Sequence, residues 1–396
     1  MGGAERVCAI LAETQAAAGH QAHVCSLVPA VTPAGRRNGV ATHPLAARNP
    51  LWIAESGRYP APVRLANKAA TVFNHKVSSE FGALCDDIAP DVIHTHSMVE
   101  LPPAVWSQAA RRGVPIVHTL HDYDLLCVRG ALFRGEHHCR PRHTACRLLS
   151  VPKRALHDRI DVVAAVSTAV LDTHLEHGLF VHLPPARRRV VWNPLRLDQS
   201  ATRTERAAGA PLRFGFLGRL VAEKGLGALL AACRQLPRGT WTLEIAGDGP
   251  ERARFEQEAC DLPVTFVGHA DAAAFLARVD VLVSVPLWNE PFGLTTLEAY
   301  AAGCRVIGST QGVIGEVVNE VDPGWTVAPG DLEALAQTMR RAIAGGTALP
   351  PTRRLAAEGL LARLAPAAIA EDYLELYALA REARRRTPVA AKRHGR

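Results

Sequence analysis

The chain has 396 residues, of which 48% are hydrophobic and 21% charged, enough apolar material for two domains with full cores and too much for a disordered chain. No apolar run reaches the roughly 18 residues that span a bilayer, and Met1 leads at once into Gly2-Gly3-Ala4-Glu5 without a secretory pattern. Nine scattered cysteines fit a reducing cytosol better than a disulfide framework.

In chain order, an amphipathic run from Arg6 to Ala18 predicts a helix closed by Gly19, and His23 to Val28 reads as a strand. Residues 29–62 carry many Pro, Gly and Arg and give a weak signal. A helical run follows from Pro62 to Ile88. Asp91 to His96 is a short buried strand, Pro102 to Arg112 a helix, and Pro115 to Leu120 a strand. That strand delivers His121-Asp122-Tyr123 at its carboxyl end, where ligands sit in open α/β sheets. Residues 127–150 read as a loop rich in Arg, His and Cys. A strand at 161–167, a helix at 168–177, a strand at 189–192 and the turn Asn193-Pro194 finish the first half, and 198–211 reads as a linker. The second half is more regular. Strands are expected at 213–217, 242–246, 264–267, 281–285, 305–308 and 325–327, with helices at 225–236, 251–260, 271–278, 295–302 and 331–344. A last long helix covers 365–385. Short apolar strands alternating with helices predict parallel, doubly wound sheets. The expected fold class is therefore α/β, with two Rossmann-like domains facing each other across a cleft. The expected domains are 1–195, joined by the helix 366–385, and 196–365, with a basic tail over 386–396.

Three stretches carry the chemistry. From Pro286 to Gly303 the chain goes from a strand through a Pro- and Gly-containing loop into a helix that Thr295 and Thr296 can cap. Free backbone N–H groups in such a first turn make an anion site. Glu290 and Glu298 bracket it, which suits a ligand with hydroxyls as well as phosphate, such as a nucleotide sugar. Gly218 to Gly225 places Arg219 and Lys224 at a strand end, where both can neutralise a leaving diphosphate; two solvated loop cations are the plainer alternative. Gly247-Asp248-Gly249-Pro250 reads as a tight turn, since Arg252 stands where a dinucleotide fingerprint needs a third glycine. Gly268-His269 ends a strand where a nucleobase edge could rest. In the first half, His121 stands out by position, with Asp122 expected to hold its ring and His118 expected inside the sheet. Cys127, Cys139 and Cys146 with His137, His138 and His143 could bind zinc, but without a Cys-x-x-Cys pair the expectation is no metal.

Together these motifs resemble glycosyltransferase family 4, whose members are retaining enzymes of the two-domain GT-B fold. The resemblance rests on the Glu290-to-Glu298 stretch, Gly218-Arg219-Leu220 with Lys224, and Gly247 to Pro250. It is joined in the first half by Gly2 to Glu5, Gly19-His20, Asp91 to His96, Thr119 to Asp122, Ser167 and Asn193-Pro194. It implies that Glu298 holds the donor ribose and Glu290 the transferred sugar. Amides of Phe292, Gly293 and Leu294 would cradle the diphosphate beside Thr295, and Arg219 and Lys224 would neutralise it. Gly2 and Gly3 would lie near the sugar and diphosphate, and His121 near the reacting carbon. No carboxylate matches a covalent nucleophile, so a same-face, ion-pair-like displacement is expected, with no cofactor beyond the donor. The final helix is expected to return to the first domain.

Family members place a strand before the Gly-Gly loop, whereas this sequence opens at that loop. A doubly wound sheet holds its first strand centrally, so the expectation is a gap in the middle of a hydrophobic layer, and either a true start upstream or an impaired product.

The expected partners are a nucleotide-sugar donor and a saccharide or lipid-linked acceptor. The net charge of +7 lies mostly at the end, where Arg381 to Arg396 holds seven Lys or Arg and one Glu, a sum of +6. That end reads either as a solvated, frayed terminus or as a peripheral contact with anionic lipid, each basic residue adding about 1 kcal/mol near such a surface. Few aromatics accompany the charges, which excludes nucleic acid as a leading partner. Two other classes remain: a dinucleotide-dependent oxidoreductase, and a nucleotide-sugar-binding protein that keeps the fold without catalysis.

Overall fold

The computed structural model describes residues 3–46, 59–135, 137–196, 202–345 and 349–386. The first half runs α1 (Gly3–Ala17), β1 (His23–Val28), β2 (Gly35–Arg37), β3 (Val40–Ala46), α2 (Ala61–Val72), α3 (His75–Ile88), β4 (Ile93–His96), α4 (Ala104–Arg111), β5 (Ile116–Leu120), β6 (Phe133–Arg134), β7 (His137–His138), α5 (Thr144–Leu149), α6 (Val151–Leu156), β8 (Val162–Ala165), α7 (Thr168–Glu176) and β9 (Arg188–Val190). The second half runs β10 (Leu212–Leu217), α8 (Leu226–Cys233), β11 (Trp241–Ala246), α9 (Arg252–Glu258), β12 (Val264–Gly268), α10 (Ala272–Leu276), β13 (Val281–Ser284), α11 (Leu294–Ala301), β14 (Arg305–Ser309), α12 (Gly312–Val321), β15 (Thr326–Val327), α13 (Leu332–Ile343), α14 (Pro351–Arg363) and α15 (Pro366–Arg386).

Most expected elements are present, and the differences have local causes. The weak region 29–62 contains the β2–β3 hairpin, whose turn is Asn38-Gly39 at φ 49° and 82°. A two-residue hairpin turn needs positive φ at both positions, and Asn-Gly supplies it. The expected single helix over 62–88 is two, because the Asn74 side chain accepts from the Val77 amide at 3.1 Å and starts α3 afresh. The loop expected over 127–150 holds the small hairpin β6–β7 and the helix α5. Three further helices, α6, α12 and α14, were not expected. The expected linker over 198–211 lies partly outside the described residues, and 202–211 has no regular structure.

The chain divides into two compact units, one of Met1–Leu132, Arg140–Pro194 and Pro366–Arg396, the other of Phe133–Cys139 and Leu195–Ala365. The β6–β7 hairpin thus belongs with the second unit, where the His138 ring meets the Gln311 amide at 3.3 Å.

In the first unit β4, β5, β8 and β9 form a parallel sheet, in that order. β5 is buried along its whole length, as a strand covered on both faces must be. The helix α15 packs on this sheet through Ile369, Tyr373, Leu376 and Ala380, which form one core with Val117, Val162, Ala164 and Leu11 of α1. That spacing is one face of a helix, and each fully buried large side chain contributes about 1.5–3 kcal/mol. β1, β3 and β2 form a separate sheet. β1 pairs with β3 along one edge, and among the described residues it makes no ladder with β4. Its side chains are half-exposed or exposed throughout.

The second unit holds one six-stranded parallel sheet in the order β12-β11-β10-β13-β14-β15. The chain order reverses between β10 and β13, where Phe214 pairs with Val281 and Gly215 with Leu282. In a doubly wound sheet the loops at that reversal splay apart beyond the strand ends and leave room for a ligand.

Candidate functional site

Glycines set the geometry at the carboxyl end of the second unit's sheet. A Cβ on Gly247 would lie 1.9 Å from the Gly218 carbonyl oxygen, and one on Gly225 only 2.0 Å from that of Val285. The loops after β10, β11 and β13 therefore close on each other backbone to backbone, which any other residue would prevent. Gly247 to Pro250, expected as a tight turn, lies against the loop after β10, where a Cβ on Gly249 would come within 2.3 Å of the Leu220 carbonyl oxygen.

Those contacts bring Lys224 to Glu290. The Lys224 Nζ lies 2.7 Å from Glu290 Oε2, and the Trp288 Nε1–H donates to the same oxygen at 2.9 Å. Lys224 also stands 5.7 Å from the centre of the Trp288 ring, a cation–π distance. A pocket is lined by Lys224, Ser284, Pro286, Glu290, Gly293 and Thr295 among others. Four of those six are residues that the sequence singled out. Trp288 was missed, although it sits two places before Glu290 in the same loop.

The helix behind the pocket differs from expectation. Its N-cap is Gly293 at φ 66°, without a side-chain cap. Thr295 and Thr296 are inside the first turn, so neither is the cap. The αL conformation at Gly293 turns the chain sharply, and a Cβ there would meet Ile314 at 2.9 Å. Leu294 and Thr295 begin it, where first-turn amides lack a partner one turn earlier, while the Thr296 amide donates to the Gly293 carbonyl at 2.9 Å. Phe292 is buried beside it. Glu298, half-buried, lies one turn further along α11. Arg219 is exposed in the loop after β10. Gly268 and the exposed His269 end β12, two strands from β10.

In the first unit, β4 and β5 bring histidines together at their carboxyl ends. His121 follows Leu120, and its Nε2 lies 2.9 Å from Nδ1 of His96, the rings stacked 5.2 Å apart. The expected partner was Asp122, but its Oδ1 accepts from the Asp124 amide at 2.8 Å instead. Burial first, then the nearby His94 and His118 rings, push His121 down to about 3, so it is neutral at ordinary pH. His118 lies inside the sheet as expected, bonded to Thr95 at 2.8 Å. Burial first, then the Asp124 charge, push the Asp122 carboxyl up. Asp124 pairs with the buried Lys153 at 3.1 Å and accepts from the Met98 amide at 2.8 Å. Gly3 begins α1, and Gly2 lies outside the described residues.

The cysteines and histidines of 127–146, the alternative zinc ligands, are only partly brought together among the described residues. The Cys127 and Cys146 sulfurs are 3.9 Å apart, but His143 caps α5. No group of three or more metal-ligating side chains comes together among the described residues.

Two family models match the chain: Glycosyltransferase Family 4 over residues 1–199, and Glycosyl transferases group 1 over residues 211–344. The chain belongs to Glycosyltransferase Family 4. It is 28% identical over 319 residues to an uncharacterized 42.6 kDa protein in the cps region of Klebsiella pneumoniae, covering 80% of this chain and 83% of that one. It is 29% identical over 309 residues to a glycogen synthase of Mycobacterium tuberculosis, with 75% and 70% covered. Its fold matches that of Anabaena HepE, solved in complex with UDP-glucose, with a TM-score of 0.66 at 18% identity and 96% of both chains covered. This protein is thus a glycosyltransferase built from two GT-B-type α/β units. No helix among its described residues is long and apolar enough to cross a membrane.

Proposed function

We propose that this glycosyltransferase moves a sugar, with retention of its anomeric configuration, from a nucleoside-diphosphate sugar to a saccharide or lipid-linked acceptor in surface polysaccharide or glycoconjugate synthesis. One observation carries the reading: Glu290, held by Lys224 and Trp288, shares a pocket with the first turn of α11. That pocket offers a carboxylate for sugar hydroxyls, a cation for the diphosphate and helix amides for its oxygens. In the free enzyme Lys224 neutralises Glu290. With donor bound, the β-phosphate competes for the ammonium, and the positive charge is in place as the leaving group develops its own. Arg219 adds a second cation, so the departing diphosphate needs no metal ion. Glu298 holds the ribose. His121, neutral, hydrogen-bonds the sugar near the reacting carbon, and a same-face displacement through an ion-pair-like state accounts for retention. The complex of HepE with UDP-glucose and the cps-region relative support a nucleotide-sugar donor and a polysaccharide setting.

A cytoplasmic enzyme resting on anionic lipid fits the basic end, though in a modified way. Arg384 of α15 is tied to Asp161 at 2.6 Å, which leaves the exposed Arg385 and residues 387–396, outside the described part, for the contact. The exposed Leu148 and Val151 beside Arg147 and Arg154 suit the same surface.

The test is a thermal-shift panel of nucleoside-diphosphate sugars, followed by transfer assays with and without EDTA. A bound donor raises the melting temperature. Glu298→Ala should abolish that rise, and Lys224→Ala should lower kcat by about 10²- to 10³-fold. Full transfer by Glu298→Ala would show that the site is misassigned.

A further inference from the structure

We infer that His96 is the positioning residue for His121, and that α15 locks it in place through Tyr377 and His94. The inference rests on the reading of His121 as the group beside the reacting sugar.

On a strand, residues two apart share a face, so β4 presents His94 and His96 together. Register places His96 opposite Thr119 of β5, two residues before His121. The 2.9 Å contact between His96 Nδ1 and His121 Nε2 must contain one N–H, whichever ring donates. Each ring therefore spends that nitrogen on the other, and His121 has only Nδ1 left for a substrate oxygen. The direction in which Nδ1 points is set by the His96 ring.

The His96 ring is fixed from behind. The His94 ring lies 4.0 Å from it, centre to centre. His94 uses both of its nitrogens, Nδ1 with the Tyr377 hydroxyl at 2.9 Å and Nε2 with the Thr119 hydroxyl at 2.7 Å. Thr119 is bonded in turn to the Tyr373 hydroxyl at 3.0 Å, and Gln15 of α1 donates to Tyr377 at 3.1 Å. The His94 ring cannot flip without breaking two hydrogen bonds, and the buried Tyr373 cannot move without disturbing the core of the unit. A chain of contacts thus runs from the last helix to His121, while Asp122 stands aside.

The experiment compares His96→Leu, His96→Asn and His121→Ala, with donor transfer kinetics and with ¹⁵N spectra of histidine-labelled protein. His96→Leu should lower kcat by about tenfold or more, the cost of a misplaced group, with donor KM within about twofold. His96→Asn, which can still hydrogen-bond His121, should recover most of the rate. In the His121→Ala background His96→Leu should add nothing. The His121 imidazole signals should shift in His96→Leu and return toward wild type in His96→Asn. Unchanged His121 signals, or equal loss of kcat in both backgrounds, would overturn the inference. If His121→Ala retains full activity while the signals still respond, His121 is held as described and the error lies in its assigned role.

Discussion

Beyond the carboxyl ends of their strands, the two units hold charge in opposite ways. In the first, Asp124 and Lys153 are both buried, with side chains 6% and 9% exposed, and the carboxylate also holds a backbone amide. In the second, the Lys224 and Glu290 side chains are 27% and 14% exposed and open on a pocket. A buried pair cannot exchange partners without leaving a charge stranded in a dry interior, whereas a half-open pair can. The first arrangement is suited to fixing a loop, the second to meeting a charged ligand. The sheets differ likewise. The second unit has one continuous sheet with β10 inside it, while the parallel strands of the first fall into two sheets with β1 half-exposed.

The largest effect expected on stability comes from separating those two ion pairs. Asp124→Ala leaves Lys153 buried without its carboxylate and the Met98 amide without its acceptor, and should cost about 3–5 kcal/mol. Glu290→Ala should cost under about 1 kcal/mol of stability while removing activity. Urea unfolding of the two variants measures both. Similar losses would mean that the two pairs do the same job, and the contrast would fail.

A smaller effect separates the units by pH. His118 and His174, both buried in the first unit, are pushed by burial down to about 4, against an ordinary 6.5. The folded chain therefore binds fewer protons than the unfolded one in mild acid. Stability is intact above pH 7 and is lost as the pH falls through 6.5 toward 4, by about 2 kcal/mol per ring at pH 5. Melting at pH 7.5 and 5 should show the first unit losing stability ahead of the second, and His174→Phe should reduce the difference.

Strands such as β8 and β13 were legible because burial on both faces turns them into nearly unbroken apolar runs. The candidate residues at the strand ends followed from where those runs end, whereas the order of the strands in the sheet did not. The β2–β3 hairpin was passed over despite Asn38-Gly39, because its first strand is Gly-Arg-Arg and wholly exposed, with no apolar alternation to flag it. α12 was passed over because glycines break its pattern. Gly315 is required there, since a Cβ would meet the Thr310 carbonyl oxygen at 2.4 Å, a packing demand that no single sequence displays. In the site, the charges were legible by residue type and by position at strand ends. The His96–His121 pairing depends on the register of two strands, and Trp288 on how a loop folds back, so neither is written locally.

The smallest effect, expected at Leu27, bears on the split sheet. Leu243 on β11 is 1% exposed, and Leu243→Ala should cost about 2–5 kcal/mol, the transfer term plus a cavity that packed neighbours cannot fill. Leu27 sits on β1, whose pattern is exposed to half-exposed from end to end. Leu27 is part-buried, so less transfer free energy is lost there than at Leu243, and the space left by Leu27→Ala is partly open to solvent, so about 1 kcal/mol is expected. The two substitutions remove the same atoms from two parallel strands of one chain. A cost at Leu27 equal to that at Leu243 would mean that β1 is covered in solution as fully as β11. A cost near 1 kcal/mol would confirm that the first unit is held together through β5, β8 and α15 and gains little from β1.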